Sequence, residues 1–286
     1  MSTSWRHATG TIDCSRGHLV GIVNATPDSF TDEGAHYGVD RAVAHGVRLA
    51  RQGASVVEVG GESLRFSDHT PVDEEIARVV PVITALVAQI DVPVAIDTFK
   101  APVAAAAIAA GASILNDPTG LRDAGMREVV AGSQVGVVLT HFFGPPKVRP
   151  ASFPDVDVLA AVIAWAHATI TEAEARGIDA ARIVIDPGIG LGKSPRQDLD
   201  VLHRLAELHV VGRPIFVPIS NKKVIGAVTG AVAKQRLAGT TAALAWCRGH
   251  GATIFRVHNV RFLARALTMS DALAVGAPAE WHDVPK

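Results

Sequence analysis

Leu19-Val20-Gly21-Ile22-Val23-Asn24-Ala25-Thr26-Pro27-Asp28-Ser29-Phe30 begins apolar and β-branched and ends polar. An apolar run without alternation is the pattern of a strand covered on both faces, as in a parallel sheet. Asn24 stands where that strand must stop, and Pro27, Asp28, Ser29 and Gly34 mark a long polar loop after it. A polar group buried without a partner costs about 1–3 kcal/mol. One such ending is unremarkable for a cap or turn. The same ending recurs along the whole chain, and that recurrence decides the fold.

Working outward from this stretch, short Val/Ile runs predict strands at 19–24, 55–60, 93–98, 113–117, 135–141, 182–187, 214–220 and 253–258. Ala-rich segments with apolar residues at helical spacing lie between them, near 38–52, 72–89, 101–110, 123–132, 156–177, 196–208, 233–249 and 259–274. Eight strand–helix units over 286 residues average about 36 residues each, close to a βαβ repeat. Regular alternation argues for an α/β protein with a parallel sheet, and eight units predict a single-domain (β/α)8 TIM barrel. Gly53, Gly111, Gly177 and Gly251 each follow a helix and precede a strand, as left-handed caps do. Pro71 and Pro102 suit first helical turns, and Asp123 suits an N-cap. The barrel is placed at 19–275. Residues 1–18 are an N-terminal extension, expected as a strand or hairpin at the barrel floor, and 276–286 are a C-terminal tail.

Composition narrows the partners. With 27 basic and 28 acidic residues the formal net charge is −1, so nothing global draws in nucleic acid or an anionic membrane. No apolar run approaches the roughly 20 residues of a membrane helix. The polar start, with Arg6 and Arg16, is not a secretory signal. The two cysteines, Cys14 and Cys247, are far apart and read as free thiols in a cytoplasmic protein.

The strand ends carry the chemistry, because barrel enzymes build their sites there. They read Asn24, then Gly60-Gly61-Glu62-Ser63, Asp97-Thr98, Asn116-Asp117, Thr140-His141, Asp186-Pro187-Gly188, Ser220-Asn221-Lys222 and Arg256-Val257-His258-Asn259. Carboxylate and amide edges from Asp97, Asn116 and Asp186 suit a flat heterocycle with several N–H groups, such as a pterin or guanine. They do not resemble a zinc site, which prefers clustered Cys and His. Lys222 can meet a ring carbonyl or lay its stem on the ring. Asn24, Arg256 and His258 suit a phosphate or pyrophosphate, with Asn24 a candidate Mg²⁺ ligand. The run Gly188 to Lys193 hints at a phosphate cradle, but it follows strand six and lacks a dinucleotide fingerprint.

At these residues the chain resembles the dihydropteroate synthase family of pterin-binding barrels. The matching motifs are Gly21 to Phe30, Gly60-Gly61-Glu62-Ser63, Ile96-Asp97-Thr98, Asn116-Asp117, Asp186-Pro187-Gly188-Ile189-Gly190 and Arg256-Val257-His258-Asn259. The resemblance implies a transferase of folate biosynthesis. It would condense 6-hydroxymethyl-7,8-dihydropterin pyrophosphate with p-aminobenzoate or a related arylamine, releasing pyrophosphate with Mg²⁺ as cofactor. It further implies that Asp97, Asn116, Asp186 and Lys222 hold the pterin, and that Asn24, Arg256 and His258 hold the pyrophosphate. Asn24, Asp97, Lys222, Arg256 and His258 would carry the catalysis, in a homodimer formed through the last helices.

The departures from the family pattern cluster on the acceptor side. Leu64-Arg65-Phe66-Ser67 stands where the family usually has Thr-Arg-Pro-Gly. Leu191 replaces a phenylalanine, Asn221 an arginine and Lys223 a serine. Glu58 stands where aspartate is usual, and Thr140 where methionine often is. Leu64, Arg65, Leu191, Asn221 and Lys223 are therefore the candidate acceptor residues, and p-aminobenzoate use is expected to be weakened or replaced. A non-catalytic pterin-binding paralogue is the alternative. A methyltetrahydrofolate methyltransferase is a third reading, opposed by Arg256-Val257-His258 and the Thr26-Pro27-Asp28-Ser29-Phe30 loop.

Overall fold

The computed structural model describes residues 3–25, 38–62, 69–144, 146–148 and 154–276. The chain starts with an antiparallel hairpin, β1 (Ser4–His7) and β2 (Gly10–Asp13). Eight strands follow: β3 (His18–Asn24), β4 (Val56–Gly60), β5 (Val94–Asp97), β6 (Ile114–Asp117), β7 (Gly136–Thr140), β8 (Ile183–Asp186), β9 (Ile215–Val217) and β10 (Ala252–Val257). They close into a ring in sequence order, β10 pairing with both β9 and β3. Every ladder in the ring is parallel. The predicted (β/α)8 barrel is what forms.

Helices α1 (Val39–Arg51), α2 (Val72–Val87), α3 (Ala101–Ala109), α4 (Ala124–Ala131), α5 (Val158–Ala175) and α6 (Pro195–His203) return the chain between strands. Then come α7 (Lys223–Thr229), α8 (Leu237–Gly249) and α9 (Val260–Val275). Two segments differ from the sequence reading. The stretch expected as one helix over 196–208 breaks after His203 into a 3₁₀ turn, Leu205–Val211. The short α7 was not expected, because Gly226, Gly230 and β-branched neighbours mask helical periodicity there. The caps agree better: Asp123 Oδ1 accepts from the Met126 N–H, 2.9 Å, and Gly53 and Gly177 both take positive φ.

Alternation inside the strands creates two layers. Val20, Val56, Ala95, Ile114, Val138, Val184, Phe216 and Ile254 form one apolar cluster with Trp5 and Ile12 of the hairpin. The Trp5 indole N–H donates to the Arg182 carbonyl, 2.8 Å, so the hairpin plugs the amino-terminal end of the barrel. Side chains two residues further along a strand share the same face. Two past the plug come Glu58, Asp97, Asn116, Thr140, Asp186 and Arg256. The interior therefore turns from dry to polar within one pleat, toward the carboxyl ends.

Candidate active site

Register sets the row of groups at the rim. Asn24 lies opposite Gly60, Gly60 opposite Asp97, and Asp97 opposite Asn116. Thr140 lies opposite Asp186 on the next pair. Gly60 leaves room in this row: a Cβ there would come within 3.8 Å of the Asp97 side chain.

The centre of the site is an ionic and amide network. Glu58 is 1% exposed. Its Oε1 accepts from Arg256 Nε, and its Oε2 accepts from Asn116 Nδ2, 2.9 Å. Arg256 donates its other arm to Asp97 Oδ2, 2.7 Å. The guanidinium is thus held between two carboxylates. The sequence groups Arg256 with Asn24 and His258; the structure ties it to Glu58 and Asp97, so the two expected corners share this residue. Burial raises the Asp97 carboxyl, and the neighbouring Arg256 opposes that rise.

Asp186 is 3% exposed at the end of β8. Its Oδ1 accepts from the Gly188 N–H, 2.7 Å, and its Oδ2 faces the Thr140 hydroxyl at 3.4 Å. Burial pushes its pKa up to about 6, against the pull of Gly188 and of Lys222 and Lys193. Lys222 lies over the loop after β8, its Cδ 3.3 Å from where a Cβ on Gly190 would sit. Burial lowers its ammonium pKa, while Asp186 raises it. The same loop is fastened from below. Lys193 donates to the carbonyls of Gly188 and His141, and the Gly190 N–H donates to Asp198 Oδ1, 2.8 Å.

His258 sits at the end of β10 against Ser220. Its backbone N–H donates to Ser220 Oγ, 3.3 Å, and its Nδ1 lies 2.9 Å from the same atom. His141 is a different kind of group: burial drops its pKa to about 3, and its ring packs edge-on against Trp165 and Phe143. Its Nδ1 is buried without a hydrogen-bond partner among the described residues.

On the acceptor side, Leu191 is half-buried and closes the loop turn by donating to the Gly188 carbonyl, 3.0 Å. Asn221 takes a left-handed conformation, φ 57, fixed by Thr240 Oγ1 and Arg236. Lys223 is exposed at the start of α7. Leu64 and Arg65 lie outside the described residues, as does the Thr26 to Phe30 segment.

Two groups received no role in the sequence reading, although Glu62 and Thr98 stand among its strand ends. Glu58 was noted only as a departure, because it lies inside β4 and not at its end; the two-residue spacing from Val56 was the signal. The second is a rim network. Glu75 accepts from Thr98 Oγ1 and Lys100 Nζ, and Lys100 reaches Glu62 Oε2 at 2.5 Å. Glu62 also accepts from Lys147 and from the Thr70 N–H. Its partners are scattered along the sequence, so no local pattern announces it.

Among the described residues no cluster of three or more His, Cys, Asp or Glu is placed to hold a metal. The rim does offer a hard oxygen donor, the Asn24 amide, which fits a cation that brings its remaining ligands with an anionic substrate.

Comparison with known proteins places this geometry. The family described as pterin binding enzyme matches residues 20–258. A relative from Haloferax volcanii, named probable bifunctional folylpolyglutamate synthase/dihydropteroate synthase, is 41% identical over 93% of this chain; the chain spans 32% of that protein's length. A Mycobacterium bovis relative named inactive dihydropteroate synthase 2 is 39% identical over 89% of this chain and 82% of its own. The Xanthomonas albilineans dihydropteroate synthase, solved with 4-aminobenzoic acid, superposes with TM-score 0.88 at 42% identity, covering 97% of this chain and all of that one. The same enzyme is also solved with 7,8-dihydropteroate.

Proposed function

The chain belongs to the pterin binding enzyme family, and we propose that it is a dihydropteroate synthase-like transferase of folate biosynthesis. In this reading it condenses 6-hydroxymethyl-7,8-dihydropterin pyrophosphate with p-aminobenzoate or a related arylamine and releases pyrophosphate. One observation carries the proposal: a layer of hydrogen-bond acceptors, Asp97, Asn116 and Asp186, directly above a dry apolar plug. A flat ring edged with N–H donors satisfies those acceptors and lies flush on the apolar plug, and an ionised aliphatic acid, which only accepts, does not.

The residues then divide the work. Asp97, Asn116, Asp186 and Lys222 hold the pterin and turn its methylene toward the rim. Asn24, Arg256 and His258 receive the pyrophosphate. The C–O bond breaks first, and its electron pair leaves with pyrophosphate. The methylene cation is stabilised by the electron-rich ring and by the surrounding carboxylates. The arylamine lone pair then forms the C–N bond, and the resulting arylammonium is acidic enough to lose its proton without a dedicated base. Mg²⁺, when bound, would neutralise pyrophosphate charge, and Asn24 is the ligand this chain would supply. Positioning and fixed charge therefore provide most of the rate.

The test is pyrophosphate release that requires both p-aminobenzoate and Mg²⁺. If no aromatic amine stimulates release, the transferase reading is lost. The second reading, a pterin-binding protein without turnover, is favoured by Leu191 and Asn221 on the acceptor side and by the inactive mycobacterial relative. It predicts calorimetric binding of the pterin pyrophosphate but no rescue of a strain lacking dihydropteroate synthase.

A further inference from the structure

Asn116 is 5% exposed, and its Oδ1 has no hydrogen-bond partner among the described residues. Its Nδ2 donates to Glu58 Oε2 at 2.9 Å. Oxygen and nitrogen of an amide are told apart by their partners. Here the partner decides, because an ionised carboxylate accepts only. Glu58 accepts on both oxygens, from Arg256 Nε on Oε1 and from Asn116 on Oε2. The amide cannot turn over without setting its oxygen against the carboxylate and leaving two buried acceptors facing each other.

We propose that Glu58 is the residue that sets ligand specificity at Asn116: it locks the amide so that the carbonyl oxygen, and never the NH₂ alone, is offered to the heterocycle. The site thereby demands an N–H donor at that point. Glu58 touches no substrate in this arrangement and acts through Asn116, with Arg256 as its own anchor. Its inward place two residues beyond Val56 lets its carboxylate meet both partners from inside β4. The proposal rests on the reading of the site as a pterin pocket.

The experiment compares 7,8-dihydropterin with analogues that each lack one of its N–H donors. Binding is measured calorimetrically to the wild-type protein, Glu58→Gln and Glu58→Asp. In the wild type at least one analogue should bind roughly tenfold or more weakly than the parent. In Glu58→Gln the new amide can donate to Asn116 Oδ1, so the parent ligand should weaken and that penalty should shrink to roughly threefold or less. Glu58→Asp keeps an acceptor-only group and should preserve the discrimination. An undiminished penalty in Glu58→Gln, or an equal loss in Glu58→Asp, would overturn the proposal. A wild-type measurement stands independently of how the variants fold. The chain has four asparagines, so ¹⁵N-asparagine labelling resolves the side-chain amides. The Asn116 Nδ2 protons should exchange slowly in the free protein, and exchange at peptide-like rates refutes the Glu58 pairing. If the wild type binds no pterin while those protons are protected, the functional reading fails and the pairing survives.

Discussion

At the residue scale the site is a set of buried acceptors whose charge depends on what fills it. Asp186→Ala or Asn116→Ala removes one charge-assisted or amide contact, worth about 1.5–3 kcal/mol, or roughly 10–150-fold in pterin affinity. Calorimetry paired with circular dichroism should show lost binding with the fold retained. Asp186 also predicts a pH profile. Its pKa is about 6 when folded and ordinary when unfolded, so its contribution to stability is complete below the ordinary aspartate range and is lost as pH rises through about 6. Ligand N–H groups favour the ionised carboxylate. Pterin affinity should therefore rise as pH climbs through about 6 and level off above it, and Asp186→Asn should flatten that profile. Asn221→Arg with Leu191→Phe should raise p-aminobenzoate turnover if those positions limit it; an unchanged rate would shift attention to Leu64 and Arg65. The left-handed backbone at Asn221 favours asparagine there, so the double variant is also expected to be slightly less stable.

At the element scale the loop between β8 and α6 carries the site. It begins at Asp186, turns at Gly188 and Gly190, and is anchored by Lys193, Asp198 and the Ser194–Gln197 capping box. Gly188 has φ 73, and a Cβ there would lie 1.8 Å from the His141 carbonyl oxygen. Gly188→Ala should cost at least about 2 kcal/mol, read as a lower urea midpoint, with pterin binding lost alongside. The strands were readable in the sequence to within a few residues because both faces are apolar, which leaves an uninterrupted Val/Ile run. The seventh unit was less readable. Pro218, the glycines of α7 and the break after His203 give short elements held by packing, not by local propensity.

At the scale of the whole molecule the barrel separates stability from chemistry. The hairpin plug at the amino-terminal end buries Trp5 completely. Trp5→Ala should lower stability by about 3–5 kcal/mol in denaturant unfolding, while the KM for pterin pyrophosphate stays unchanged below the transition. On the outer surface, Phe262, Met269 and Leu273 of α9 are 48%, 59% and 76% exposed. If the chain pairs through its last helices as the family resemblance implies, Leu273→Glu should lower the sedimentation coefficient in analytical ultracentrifugation, and an unchanged value would remove this face from the interface. No helix among the described residues is long and apolar enough to cross a membrane. The order of residues was enough to give the eight strand–helix units, the barrel, and Asp97, Asn116 and Asp186 as rim groups, because burial on both faces and polar strand ends are local properties. Ring closure was needed for the rest. Glu58, Asn116, Asp97 and Arg256 belong to four strands spread over 198 residues, and which carboxylate takes which donor depends on register and side-chain reach across the lumen. Hydrogen bonds act over about 3 Å, so no pattern along the chain can encode a partner that only folding brings within range.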